Sequence, residues 1–382
     1  MTAFIRSADL RNLRSAAEAA LVMAVGMGFG RFAFTAVFPH MLQDGVLSLR
    51  AGSFAASANY AGYLLGALLA VRAQARNAHR LCLWSVIGTA ICLAVLALPV
   101  PIWAIVAVRG LAGAFSALSM VAASLWLLQH RGHLRGAPLL YAGVGIGIAL
   151  SAELLVLGAH AGLRSAGMWL MLGLVALAIG LAAAPGLIAS ASETQGVATP
   201  PGPSTAPSVS AWPLVTIYGL AGLGYIVTAT YLPLLVHAVL PDLNPAHVWA
   251  LFGLGAVPSC FLWHRIHERL GTRSALQLNL VLQALGVALP ALTPSAASYV
   301  LSALLVGGTF MGTVTIAMPA AQRIARQAGT NLLATMTLVY GVGQIAGPVL
   351  AETLRGHSHT FASSLLAASA ALLLAALVSL RL

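Results

Sequence analysis

The sequence predicts an all-α integral membrane protein, with twelve transmembrane helices in two pseudo-symmetric six-helix bundles. Three observations carry that expectation. Charged residues make up only 7% of the 382 residues and apolar ones 60%, far from the balance of a water-soluble domain. Apolar runs of about 20 residues, each long enough to cross a bilayer, recur between short arginine-bearing breaks. A Pro/Gly/Ser-rich stretch interrupts the series near its middle, and glycine spacings before it return after it.

Taken in order, the apolar runs place helices near 16–39, 51–71, 81–99, 102–128, 137–160, 165–185, 212–238, 247–264, 275–290, 297–321, 331–354 and 360–380. The first contains Gly26, Gly28 and Gly30, residues that let packed membrane helices approach closely. Helical spacing puts Gly28, Arg31, Thr35 and Phe38 on one face. Residues 1–14 are polar and the run after them outlasts a signal-peptide core, so an uncleaved first helix is expected. Residues 186–211, with Pro200-Pro-Gly-Pro203, read as a flexible linker. The expected domains are therefore a bundle over 1–189, a cytoplasmic linker over 190–211 and a bundle over 212–382.

Two echoes relate the halves. Gly222, Gly224 and Pro233 repeat the spacing of Gly28, Gly30 and Pro39. Gly341-Val-Gly343 followed by Ala351-Glu352 repeats Gly143-Val-Gly145 and Ala152-Glu153 with one residue of slip. Transporters built from such repeats bind substrate near the bilayer midplane, between the halves.

All 19 basic residues are arginines, and the formal net charge is +11. They come as short groups between apolar runs, not as a basic face with aromatic platforms, so no nucleic-acid partner is expected. Fourteen fall in the N-terminal tail, the even-numbered loops and the C-terminal end, against three (Arg50, Arg164 and Arg355) in the opposite loops. That bias puts both termini in the cytoplasm, with the chain in the inner (cytoplasmic) membrane. Cys82, Cys92 and Cys260 lack metal-ligand or disulfide spacing and read as packing residues. No phosphate-binding loop is present, and His130 with His133, like His264 with His267, reads as a solvated pair without metal. No enzyme activity, cofactor or metal is expected; membrane lipids are the expected surroundings, and a monomer the expected state.

Twelve spans, a central linker and parallel six-helix halves resemble the major facilitator superfamily over essentially the whole chain. Arg109-Gly-Leu-Ala-Gly113 looks like the Arg-x-x-x-Gly core of its helix-four motif, whose arginine is linked to proton movement in many proton-coupled members. The Gly341 to Gly347-Pro348 run resembles a glycine/proline signature that the family usually carries in helix five. Gly66-Ala-Leu-Leu-Ala-Val-Arg72 and Glu268-Arg-Leu-Gly-Thr-Arg273 keep parts of its cytoplasmic loop motif. Gly30-Arg-Phe-Ala-Phe-Thr35 and Asn59-Tyr-Ala-Gly-Tyr-Leu-Leu-Gly66 are similar to the YbfB/YjiJ-type branch. The resemblance implies a cavity lined by helices one, four, seven and ten, hence by Phe34, Thr35, Ser116, Tyr225, Thr228, Tyr231, Met311 and Thr315. Asn59, Tyr60, Tyr340 and Gln344 would add to it from helices two and eleven.

Four ionisable residues stand out inside spans: Arg31, Arg109, Glu153 and Glu352. Such groups normally face the bundle interior and pair. Arg109 and Glu153 lie at similar depths on consecutive helices, about 9 Å and 7 Å outward of their midpoints at ~1.5 Å per residue. They are expected to meet, either as a fixed ion bridge or as a proton switch. Arg31, without a carboxylate at its depth, would bond backbone carbonyls or hold an anion through its planar fork. Glu352, near the outer interface, would be a solvated gate or a structural partner for Arg50 or Arg355. The expected function is proton-coupled secondary transport of a small, monocarboxylate-sized organic anion. The alternatives are proton-coupled efflux of amphipathic or cationic compounds and a non-transporting membrane sensor or assembly factor. The arginine bias is checked by placing a cysteine in the linker: S204C should resist an impermeant maleimide in intact cells, and labelling from outside would reverse the orientation.

Overall fold

Apolar sequence in a membrane has to satisfy its backbone internally, and helices do so. The computed structural model describes residues 2–189, 211–240, 244–328, 332–358 and 360–382, and among these all regular structure is helical. The linker expected at 190–211 lies outside the described residues apart from its last position. The helices are α1 (Thr2–Met23), α2 (Ala33–Gln43), α3 (Leu49–Ala70), α4 (Ala78–Leu96), α5 (Ile102–Ser124) and α6 (Ala137–His160). They continue with α7 (Ser165–Ala189), α8 (Trp212–Val239), α9 (Pro245–Leu292), α10 (Ala296–Ala328), α11 (Leu332–Ser358) and α12 (Ala362–Val378). Nine helical stretches among the described residues are long and apolar enough to cross a membrane.

Three boundaries differ from expectation, each for a local reason. The first helical rod begins at Thr2 instead of 16, so polar residues precede its apolar run. Between α1 and α2 that rod is π-helical over Ala24–Phe32, and the Ala33 N–H reaches back five residues to the Gly28 carbonyl. Three glycines in nine residues weaken the ordinary helical spacing there, and packing selects the wider one. The spans expected at 247–264 and 275–290 run together as the 48-residue α9, bent at Gly271 with φ 75° and ψ 174°. Only glycine adopts that conformation without strain.

The halves of the chain meet chiefly along α2 with α8, α3 with α11 and α6 with α9. At the α6–α9 crossing Gly145 faces Gly253. A Cβ on Gly253 would lie 2.6 Å from both the Ala149 nitrogen and the Gly145 oxygen, so the two backbones touch directly. Along α2 and α8, residues 194 apart are partners. Thr35 Oγ1 donates to the Ala229 carbonyl at 2.7 Å, and Gln43 Nε2 lies 2.9 Å from His237 Nε2. The separation is the offset of the Gly28/Gly222 and Pro39/Pro233 echo, so equivalent positions of the repeat face one another. Beyond the end of α2, Asp44 accepts a 2.7 Å bond from the Ser165 N–H and ties the first loop to the start of α7. Burial alone would push the Asp44 carboxyl up, but the Ser165 hydrogen bonds and the nearby Arg164 charge override it and hold it below the usual carboxylate range.

Candidate functional site

Between the halves lies a cavity of about 470 Å³. Its inner wall holds Arg31, Tyr63, Tyr225, Tyr340 and Gln344, and its rim holds Val71, Gln129 and Met318. Val71 and Gln129 sit beside Arg72 and Arg131 in sequence, so the cavity opens at the arginine-rich end. The opposite end is laced shut between the halves. There Thr35 bonds the Ala229 carbonyl, Ser53 and Tyr231 share a hydroxyl pair at 2.8 Å, and Tyr60 and Thr230 another at 3.0 Å. Tyr231 Oη also donates to the Pro348 carbonyl at 3.2 Å, and Ser57 Oγ to the Ile345 carbonyl at 3.2 Å.

Arg31 occupies the last turn of the π-helical stretch and is only 3% exposed. Its guanidinium carbon lies 4.2 Å from the Tyr63 ring centre and 5.2 Å from those of Tyr60 and Phe32. Nη2 makes one long bond, 3.4 Å, to the Tyr225 hydroxyl, while the buried Nε has no partner. Among the described residues no carboxylate ion-pairs with it. Ring faces stabilise a buried cation by about 2 kcal/mol or more, but they supply no acceptor to Nε. The Nε/Nη2 edge of the guanidinium, the side that grips a carboxylate with two parallel bonds, therefore remains short of acceptors.

Arg109 is buried just as deeply but is used differently. Nη1 donates to the Gly30 carbonyl at 2.9 Å and Nη2 to the Arg31 carbonyl at 3.1 Å. Its guanidinium also lies 4.4 Å from the Phe34 ring centre. Asn59 Nδ2 in turn donates to the Arg109 carbonyl at 2.8 Å and approaches the Gly30 carbonyl at 3.5 Å. The carbonyl-bonding role open to Arg31 from sequence thus belongs to Arg109, which fixes the backbone that carries Arg31. The expected Arg109–Glu153 pair is not formed. Glu153 Oε1 lies 2.9 Å from His247 Nδ1, both side chains about half exposed, where α6 meets the start of α9. Arg109 points to the π-helical stretch and to Phe34 of α2, while Glu153 points across to the other half. Glu352 does pair with Arg355, at 3.0 Å.

The remaining sequence candidates separate into three places. Tyr225, Met311, Tyr340 and Gln344 line the cavity, and Gln344 Nε2 bonds the Tyr225 hydroxyl. Thr35, Tyr60 and Tyr231 form the closed end. Phe34, Asn59, Ser116, Thr228 and Thr315 do not line the cavity. Phe34 stacks on Phe38 with centroids 5.2 Å apart, Ser116 Oγ donates to Met27 Sδ at 3.0 Å, and Thr315 Oγ1 to the Met311 carbonyl at 2.9 Å. The Thr228 hydroxyl is buried without a partner.

Sequence reasoning missed Tyr63, Tyr218 and Phe310, all on the cavity wall. Helical spacing was the available signal: Tyr63 is one turn beyond Tyr60, Tyr218 two turns before Tyr225. It also passed over Glu18, a buried carboxylate bonded to Arg14 Nε at 2.9 Å. At the closed end a second cavity of about 290 Å³ is lined by His40, Gln43 and His237 among others. Among the described residues no three His, Cys, Asp or Glu side chains converge as metal ligands would.

A family model described as "uncharacterised MFS-type transporter YbfB" matches residues 23–380. No curated protein matches the chain.

Arg109 holds two carbonyls in a region without water, so R109A should lower stability by about 2–4 kcal/mol whether or not ligand is present. Thermal unfolding of purified protein in detergent measures this, with R109K as a partial rescue. An unchanged midpoint in R109A would show that the two bonds do not support the fold.

Proposed function

Since the chain belongs to the uncharacterised MFS-type transporter YbfB family, a family of membrane transporters, we propose that its cargo is a small organic anion moved together with protons by alternating access. One observation carries this reading: Arg31 is a buried guanidinium at the closed end of the cavity, with an unpartnered Nε and, among the described residues, no carboxylate paired with it. A monocarboxylate would supply the missing charge and accept from both Nε and Nη2. Efflux of cationic compounds is the weaker alternative, because a cation entering this cavity meets Arg31 as a like charge.

In this reading the two legs of α9 count as separate crossings, giving twelve spans in two six-helix bundles joined by 190–211. The arginine bias puts both termini and the cavity mouth on the cytoplasmic side, and the molecule is inward-facing. Proton coupling then resides not in an Arg109–Glu153 switch but in the Glu153–His247 contact at the outer seal. Their attraction is greatest with Glu153 ionised and His247 protonated. Once Glu153 as well as His247 carries a proton, the ionic attraction is gone and the outer end opens more easily.

Two sets of variants test the two parts. R31K keeps the charge but loses the fork, so it should weaken carboxylate binding about tenfold, and R31A should weaken it further. Chloride should compete poorly in both. Unchanged affinity in well-folded R31K and R31A protein would make Arg31 a structural cation. For coupling, E153Q and H247A should flatten the dependence of proteoliposome flux on a pH gradient while retaining substrate binding. A gradient dependence equal to wild type in both would place coupling elsewhere.

A further inference from the structure

Resting on the anion reading of Arg31, the shape of the cavity narrows the class of anion. We infer that the substrate is a flat aromatic carboxylate, its carboxylate on Arg31 and its ring against an aromatic wall.

The wall is a run of near-parallel rings contributed by three helices. Tyr218 and Tyr340 stack with centroids 4.5 Å apart at 29°. Tyr340 and Tyr225 follow at 5.9 Å and 19°, and Tyr225 and Phe310 at 5.5 Å and 13°. All four line the cavity, so the run forms one continuous surface along it. Beyond Phe310 the series continues into Phe252 at 5.3 Å and Trp249 at 4.5 Å from Phe252, rings outside the cavity that hold the wall in place. Arg31 joins this surface through Tyr225, and its outer face is covered by Tyr63.

Plain packing explains stacked rings in a closed core, but these border an open space, where aliphatic side chains would serve equally well as walls. Aromatic pairs prefer offset-stacked or edge-to-face geometry and gain from it beyond area alone. A row of stacked rings turns its edges to the cavity, and such edges favour the face of a flat ring over a puckered one of equal size. A short aliphatic carboxylate would satisfy Arg31 and leave those edges, of which Tyr340 is the most open, uncovered. A ring on that carboxylate packs across them, and 470 Å³ lies within the usual range of small-molecule sites. Charge recognition and ring recognition thus sit at opposite ends of one short ligand.

Calorimetric titration of the purified wild-type protein with four probes separates the ideas. The probes are phenylacetate, cyclohexylacetate, acetate and phenylacetamide. Phenylacetate should bind at least about tenfold more tightly than either cyclohexylacetate or acetate, and phenylacetamide should not bind measurably. F310L and Y340L should each erase most of the phenylacetate advantage over cyclohexylacetate. The wild-type comparison stands alone if either variant fails to fold. Equal affinity for phenylacetate and cyclohexylacetate would overturn the aromatic assignment and leave the anion reading intact. Phenylacetamide binding as well as phenylacetate would overturn the anion reading instead. No binding by any carboxylate would overturn both.

Discussion

The site depends on a contact between one buried cation and backbone. Arg109 reaches from α5 to the carbonyls of Gly30 and Arg31, where the first helical rod leaves its π-helical stretch and backbone pairing changes register. In hydrocarbon there is no water to serve such carbonyls. Asn59 extends the dependence by holding the Arg109 carbonyl. Three helical elements are thereby fixed at one point, and the point is the backbone of Arg31. Arg31 can remain short of partners because its main chain is held by another arginine. The same division of labour explains two buried guanidiniums close together with no carboxylate paired to either among the described residues. One is consumed by the fold, and the other faces the cavity.

Around this point the halves lock at one end and part at the other. The hydrogen bonds that close the molecule are mostly hydroxyl to hydroxyl or hydroxyl to carbonyl, such as Thr35 to Ala229 and Tyr231 to Pro348. Each is individually modest, so a seal made of several can open bond by bond. The direct backbone contact at Gly145 and Gly253 has the Cβ atoms of Ile148 and Ala256 as its nearest side-chain atoms. Smooth surfaces of this kind suit bundles that rock against each other as rigid bodies.

Much of this was legible in the sequence, and the illegible parts share a cause. Arg31 stood out because a charge interrupting an apolar run is costly enough to be conspicuous. The echo of Gly28 and Pro39 in Gly222 and Pro233 carried the offset at which α2 and α8 meet. Depth along a helix could be counted from Arg109 and Glu153, but direction around the axis could not. A pairing based on depth alone therefore joined residues that face different neighbours. The π-helical stretch was hidden for a related reason. Glycines permit both spacings, and contacts from other helices choose between them. The aromatic wall was missed because each ring taken singly reads as packing; only the spacing of Tyr218 with Tyr225 hinted at a shared face.

The burial of Arg31 has an electrical consequence. A cavity open at one end places its contents near the electrical potential of that side, and reorientation carries them to the other. An empty carrier would then move the charge of Arg31 through the membrane field, at about 2.3 kcal/mol per elementary charge per 100 mV. With an organic anion bound at the guanidinium, the charge that moves would be that of the accompanying protons alone. Voltage would act on the return of the empty carrier through Arg31, so a negative interior would hold the unloaded protein facing inward.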